Sequence, residues 1–479
     1  MFTGRDSDIA RLETLWRKAS ASLVVVSGRR RIGKSTLVEV FAERSKCRFI
    51  EIAGLAPDDK MTNRRQLDNF CERLAASTGQ PEAKADAWPK AFDALAAAIP
   101  GNAKTVVFLD EVSWLGGHDP AFAAYLKNAW DTQLSKKNRL ILVIAGSVSA
   151  WIQDNVLKSK AFVGRVSLAI TLSELPLANC REFWGRSASR VATHEIMDVL
   201  SVTGGVPKYL EEIDGSLPAA ENLRRLCFTP EGYLFRDFDS IFSDVFGAAA
   251  TKRALLVALA SGPASVSELA AAFGKEPSGH LSDDLRDLQE AGFVAASAGL
   301  NPATGAPLRE VRYRLRDNYA RFYLKFIAPR AAAIRGGLFK FASLDQLPGW
   351  ETIMGLQFEN LVVNDLAALC PLVGLEGRLV TSAAPYARRK TASAPGVQVD
   401  LLLQTPKSMC VVEVKRREKI PAGIEAEVQE KVARLRAPRG VSVRTALVYD
   451  GELAPAVAEN GFFDFLVPIE KLLGLPSDD

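Results

Sequence analysis

Cysteine and histidine are scarce. The six Cys (Cys47, Cys71, Cys180, Cys227, Cys370, Cys410) are scattered without a C-x-x-C pair, and the three His stand far apart. This spacing argues against a disulfide framework or a zinc centre and favours reduced thiols in the cytoplasm. No apolar run reaches membrane-span length, and the polar opening MFTGRDSDIARLE is unlike a secretory signal. A cytoplasmic chain without membrane contact is expected. Internal repeats and low-complexity tracts are missing too, apart from one Ala-, Ser- and Pro-rich loop, TSAAPYARRKTASAPG (381–396). Charge is nearly balanced: 60 Lys and Arg against 56 Asp and Glu, for a net charge of +4. Partners must therefore be read from where the charge sits.

The composition is otherwise that of a globular protein, 48% hydrophobic and 24% charged, and 479 residues are too many for one core. Apolar strand-like runs recur at SLVVVSG (22–28), TVVFLDE (105–111), RLILVIAGS (139–147) and VSLAITL (166–172), with helical segments between them. That alternation predicts an α/β core with a parallel sheet over residues 1–172. Helical pattern fills 173–247, broken by TGGVP (203–207). Short helices and an extended basic segment occupy 248–316, and a helical connector 317–346. A second α/β region, helix, three strands, helix, strand, covers 347–479.

GRRRIGKS, comprising Gly28, Arg29, Arg30, Arg31, Ile32, Gly33, Lys34 and Ser35, fits G-x-x-x-x-G-K-[ST] between a strand and a helix. Loop and helix-start N–H groups, Thr36 included, can converge on phosphate oxygens. Lys34 would reach the β- and γ-phosphates of ATP, and Ser35 would ligate Mg²⁺. VVFLDE ends with Asp110, placed to hold the Mg²⁺ shell, and Glu111, placed to activate water. Ser147 closes the next strand as a γ-phosphate sensor. Arg165 in GRVS (164–167) is a candidate for transition-state charge, in cis or from a neighbouring subunit of a homo-oligomer, or a plain surface arginine.

Residues up to about 245 resemble the archaeal-type ATPase family, P-loop NTPases related to the AAA and signal-transduction ATPases. The resemblance rests on FTGRDSDIARLE, SGRRRIGKSTL, VVFLDEVSWL, AGS, the Gly-Arg before the strand and TGGVPKYL. It implies a helical lid in which Pro207 contacts adenine, with Gly205 permitting the turn. It also implies that Phe2, Thr3, Gly4 and Arg5 lie near the base. DNYARFYLKFI (317–327) matches the run that follows a winged helix in the same family.

ASVSELAAAFG (264–274) and SGHLSDDLRDLQEAGFV (278–294) read as helix, turn, helix and strand of that winged helix. In LREVRYRLRD (308–317), alternation puts Arg312, Arg314 and Arg316 on one face, with Arg309 and Arg321 extending the stripe. Such a face suits a DNA backbone, a solvated surface or an interdomain contact.

VDLLLQTPKSMCVVEVK (399–415) sets Asp400, Glu413 and Lys415 into strands. Glu413 and Lys415 share a face, and an antiparallel hairpin brings Asp400 to it. Paired carboxylates repel unless a cation lies between them, and hard oxygens suit Mg²⁺ or Mn²⁺. Lys415 would then orient water for phosphodiester hydrolysis, and Glu359 on the upstream helix adds a third carboxylate. The element order resembles the PD-(D/E)XK, or restriction-endonuclease-like, fold, with Val399 where that family's leading Pro would stand. KRREK (415–419) and ARRK (387–390) form a basic rim for a polyanion. The whole suggests a nucleotide-gated, DNA-binding ATPase with a metal-dependent nuclease. The alternative is a nucleotide-dependent switch or scaffold whose nuclease-like domain is inactive.

Overall fold

A computed structural model describes residues 1–58, 60–101, 103–147, 150–246, 249–297, 299–341, 343–390 and 395–476. The chain divides into two compact units, Met1–Glu174 with Glu290–Gly292, and Leu175–Gln289 with Phe293–Asp479. All six cysteines are free. Among the described residues no helix is long and apolar enough to cross a membrane.

The first unit is built on strands β1 (Ser22–Gly28), β2 (Arg48–Ala53), β3 (Thr105–Asp110), β4 (Leu140–Ser147) and β5 (Val166–Leu172), in the order β2-β3-β4-β1-β5. Every pairing is parallel. β1 is buried along its whole length, as expected of a central strand covered by helices on both faces. Leu23 and Val25 enter one core with Phe70, Trp88 and Phe122, while Val24 and Val26 enter another with Leu37 and Phe41. The order matters for chemistry: β4 lies between β1 and β3, so the ends of all three strands lie side by side.

In the second unit, helices cover Leu175 to Phe246 apart from short turns. A small sheet follows, β6 (Ala264–Ser265), β7 (Val294–Ser297) and β8 (Arg312–Leu315), in the order β6-β8-β7. With helices Val266–Ala272 and Gly279–Glu290 it makes a winged helix. Ser265 caps the first of these through a reciprocal box with Glu268.

The C-terminal sheet contains β9 (Ser382–Arg388), β10 (Val397–Gln404), β11 (Ser408–Ile420), β12 (Ser442–Leu453) and β13 (Phe465–Pro468), in the order β13-β12-β11-β10-β9. β9, β10 and β11 pair antiparallel; β11, β12 and β13 pair parallel. Helix Trp350–Asn364 packs on one face through Phe358, Leu361 and Val362, in a core shared with Ile196, Met197 and Leu200. Helix Gly423–Leu435 packs on the other through Ile424 and Val428.

Candidate functional site

In the first unit the phosphate loop bridges β1 and helix Lys34–Ser45. Its glycines are required by geometry. A Cβ on Gly28 would stand 2.8 Å from the Leu172 carbonyl oxygen, and Gly33 sits at φ 90°. Lys34 donates to the carbonyls of Gly28 (3.1 Å) and Arg29 (3.2 Å), folding its ammonium into the loop. Burial lowers its pKa, while the nearby Glu111 and Asp110 charges oppose that shift. Ser35 Oγ donates to Asp110 Oδ2 over 2.7 Å. The Asp110 Oδ1 accepts from the Glu111 N–H, and Glu111 takes a left-handed backbone, φ 47° and ψ 49°. Glu111 Oε2 reaches the end of β4, 3.8 Å from where a Cβ on Gly146 would lie. A hydroxyl, a carboxylate, a lysine and a second carboxylate therefore meet at one end of the sheet. Ser35 and Asp110 suit Mg²⁺, which binds through few protein oxygens and keeps water and phosphate ligands.

The remaining expected residues of this unit divide. Ser147 pairs with Gly28 in the sheet register, which puts its backbone beside the loop; its side chain lies outside the described residues. Arg29 is buried and pairs with Glu174 at 3.7 Å, and Arg30 lies over the Trp114 ring at 4.9 Å. Arg31 has φ 68°, Ile32 is buried, and Thr36 is exposed. Arg5 donates to the Ile32 carbonyl at 3.3 Å and the Ser173 carbonyl at 2.6 Å, tying the opening segment to the loop.

Arg165 is a correction. Val166 pairs with Leu23 and Leu172 with Gly28, so Arg165 stands just before β5, at the end of the sheet away from the loop. A strand advances about 3.3 Å per residue, so the separation is on the order of 15–20 Å. Arg165 instead forms a two-pronged ion pair with Asp131, at 2.6 and 2.8 Å. That position and pairing do not favour a role in cis on a nucleotide in its own loop.

In the second unit Pro207 opens the short helix Pro207–Leu210 after two left-handed glycines, Gly204 and Gly205. The arginine stripe is the second correction. Alternation holds, but two of the arginines, Arg314 and Arg321, are turned inward. Arg314 is 8% exposed and bonds Asn360 and, at 2.6 Å, Asn364. Arg321 is 3% exposed and donates to Gln357 (2.7 Å) and the Leu315 carbonyl. Arg312 pairs with Glu268 at 3.2 Å, and the Arg316 carbonyl accepts from Asn360. Arg314 and Arg321 thus knit the winged helix to helix Trp350–Asn364 and are withdrawn from a DNA backbone, while Arg312 is held within the winged helix and Arg309 is exposed. Helix Gly279–Glu290, the second of the helix-turn-helix, exposes Asp283 paired with Arg286. The basic rim is also thinner than the sequence suggests. Arg416 turns to Asp198 (2.6 Å) and Asp450 (3.0 Å), Arg388 bonds the Arg434 carbonyl, and Arg389 pairs with Glu268. Lys390, Arg417 and Lys419 are exposed.

The strand charges do converge. Leu401 faces Val412, so one step further Asp400 faces Glu413. The register of β10 against β9 shifts between Val399 and Leu402, and on the side of β11 the Asp400 carboxylate accepts from the Val414 N–H at 2.9 Å. Glu413 is fully buried. Lys415 Nζ lies 2.6 Å from its Oε1. Glu359 joins from helix Trp350–Asn364, close enough to feel Asp400, Lys415 and Glu413. Burial raises the pKa of Asp400, Glu413 and Glu359, and the Asp400 charge adds to the shift of Glu359 and Glu413.

Sequence reasoning missed Lys431 and Glu427. Lys431 Nζ donates to both Glu413 oxygens at 2.7 and 2.8 Å, and it lies 3.0 Å from Glu427. A signal existed: Lys431 falls seven residues after Ile424 and three after Val428, both buried on this helix, so it interrupts an apolar stripe. Asp400 and Glu413 suit a hard divalent cation. Among the described residues no group of three or more potential metal ligands is assembled. The protein would thus contribute two carboxylates, and water or substrate the rest, the preference of Mg²⁺.

Comparison with known proteins agrees with the first site. Residues 2–213 match the family described as an ATPase domain predominantly from Archaea. That stretch, a little under half of the chain, is similar to an archaeal-type ATPase domain. Residues 250–296 match the bacterial regulatory protein arsR family, in the winged helix. An uncharacterised protein of Methanocaldococcus jannaschii is 23% identical over 371 residues, 77% of this chain and 78% of that one. An uncharacterised ATP-binding protein of the same organism is 38% identical over 52 residues, 11% of this chain and 88% of that protein. Among solved structures, a Walker-type ATPase of Pyrococcus abyssi has a TM-score of 0.50 at 16% identity, covering 68% of this chain and 96% of that one. At that identity the likeness is one of fold.

Proposed function

We propose that this ATPase couples ATP binding and hydrolysis to metal-dependent cleavage of DNA in a restriction-endonuclease-like C-terminal region. The observation that carries the nuclease reading is the convergence of Asp400, Glu413 and Lys415 on two paired strands, with Glu359 on the neighbouring helix near enough to feel their charges. Burying several carboxylates together costs stability unless something positive serves them, so their concentration at one place suggests a site.

In the ATPase core, Lys34 and the loop N–H groups hold the phosphates, Ser35 and Asp110 would hold Mg²⁺, and Glu111 orients the attacking water. Pro207 and Gly205 are assigned to adenine. In the C-terminal region, Asp400 and Glu413 would hold the divalent ion. When bound, that ion supplies charge stabilisation at phosphorus and a more acidic water. Lys415 holds a proton-bearing ammonium beside Glu413, where it can orient water. Lys390, Arg417 and Lys419 offer charge to a polyanion.

The test is incubation of the purified chain with plasmid and linear DNA, with and without Mg²⁺ and ATP, alongside Asp400→Ala. Metal-dependent cleavage lost in Asp400→Ala supports the reading. A second reading, a nucleotide-dependent scaffold with an inactive C-terminal region, is favoured by one observation: both Glu413 oxygens are already met by lysine. Absence of cleavage on every DNA form, with ATPase activity intact, would select it.

A further inference from the structure

The two lysines at Glu413 differ in kind. Lys415 comes from the same strand, two residues on, and its position is set by the sheet. Lys431 comes from a helix, reaches inward to a fully buried carboxylate, and has a second acceptor one helical turn back, Glu427 at 3.0 Å. Glu427 is 47% exposed on its side chain and also lies 3.4 Å from Lys415. The ammonium on its flexible four-carbon stem thus touches an interior carboxylate and a surface carboxylate at once, and can loosen its hold on one while keeping the other.

We infer that Lys431 is a place-holder cation: it neutralises Glu413 while no metal is bound and passes to Glu427 when a divalent ion takes Glu413. The inference rests on the proposed metal site. Three facts support it. Glu413 has no exposure, so it cannot be left bare when the ion is absent. Lys431 meets both oxygens, so an ion cannot ligate that carboxylate without competing with it. And Glu427 sits at i−4 on the same helix, so the ammonium can move by side-chain rotation while the helix stays in place. The exchange makes and breaks no covalent bond and moves no proton.

The place-holder role fixes a sign. Ordinarily, removing a residue that orders a metal ligand weakens metal binding. Removing a competing cation strengthens it, because the ion no longer displaces a positive charge. Lys431→Met keeps most of the buried stem and deletes the charge. It is expected to bind Mn²⁺ about tenfold or more tightly than the natural chain, while its metal-free melting temperature falls. Glu427→Gln removes the receiving carboxylate and is expected to bind Mn²⁺ more weakly.

The experiment is Mn²⁺ titration of the full chain without nucleotide, followed by calorimetry and by thermal shift, with Asp400→Ala as the control that assigns the signal. Tighter binding by Lys431→Met supports the place-holder role. Equal or weaker binding by a Lys431→Met protein that retains the natural far-ultraviolet spectrum overturns it and makes Lys431 a positioning residue, leaving the metal site standing. If Lys431→Met does not fold, Lys431→Gln and Glu427→Gln carry the test; Glu427→Gln binding Mn²⁺ as well as the natural chain overturns it. No Mn²⁺ signal in the natural chain that Asp400→Ala removes would overturn both the metal site and the inference.

Discussion

Ser35 Oγ donates to Asp110 Oδ2 over 2.7 Å, joining residues 75 positions apart at the end of one parallel sheet. The serine at the start of the loop helix and the aspartate at the end of β3 thus share one locus, with Lys34 and Glu111 around it. Two variants separate their roles. Lys34→Ala should weaken ATP binding, because the phosphate-facing charge is gone. Glu111→Gln should bind ATP nearly normally and turn over on the order of 10² or more slowly. Phosphate release and nucleotide titration measure both. Natural rates from Glu111→Gln would remove Glu111 from the chemistry.

Arg165 gives a contrasting expectation. It stands at the start of β5, at the far end from Gly28, and is engaged by Asp131. In dilute protein, Arg165→Ala should leave ATP turnover within about twofold, whereas loss of an arginine finger costs on the order of 10³ or more. Turnover per molecule measured over a range of protein concentrations decides the matter. A large loss that appears only at high concentration would mean the arginine serves a second copy of the chain.

Arg314 should behave as an interior residue. Its guanidinium bonds Asn360 and Asn364 in a buried setting. Arg314→Ala strands those amides and should destabilise the second unit by on the order of 2–4 kcal/mol. The salt dependence of DNA binding should stay as it was. Arg417→Ala with Lys419→Ala should do the reverse, flattening the salt slope by about one unit for each phosphate no longer neutralised, with little change in melting. A flattened slope in Arg314→Ala at unchanged stability would restore the arginine strand as a DNA surface.

The carboxylate cluster sets a pH dependence. Burial, reinforced by Asp400, pushes the Glu359 carboxyl up to about 8; the pKa values of Asp400 and Glu413 are also raised. A carboxyl whose folded pKa exceeds its unfolded value keeps a proton that the unfolded chain has released. Its contribution is intact below the unfolded pKa and is lost as pH climbs toward the folded one. Lys415 and Lys431, whose pKa values are raised, add stability that is constant until well into the alkaline range. Metal-free protein should therefore melt at lower temperature as pH rises from about 4.5 to 8. Glu359→Gln should flatten that slope. Calorimetric melts in chelator across this range provide the check, and a melting temperature that rises over it would contradict the cluster's electrostatics.

Local sequence was enough wherever function depends on a contiguous turn. GRRRIGKS must follow a strand and open a helix, because the glycines permit the loop and the helix start supplies N–H groups. The hydrophobic runs around VVVSG and VVFLD require a sheet buried on both faces. Glu413 and Lys415 share a face because strands alternate, and Asp400 meets them because QTPKS closes a hairpin. What packs on a face is a different matter, since it depends on elements far away in the chain. Alternation put Arg312, Arg314 and Arg316 on one side of the chain, but only tertiary structure set Asn360 and Asn364 against Arg314 and took it from solvent. The sequence pattern placed a second helix in the C-terminal region, but only its packing brought Lys431 to Glu413. Parallel register, a long-range pairing, moved Arg165 to the far end of β5. Local chemistry follows from the spacing of residues along one element; partners follow from which elements the fold lays together.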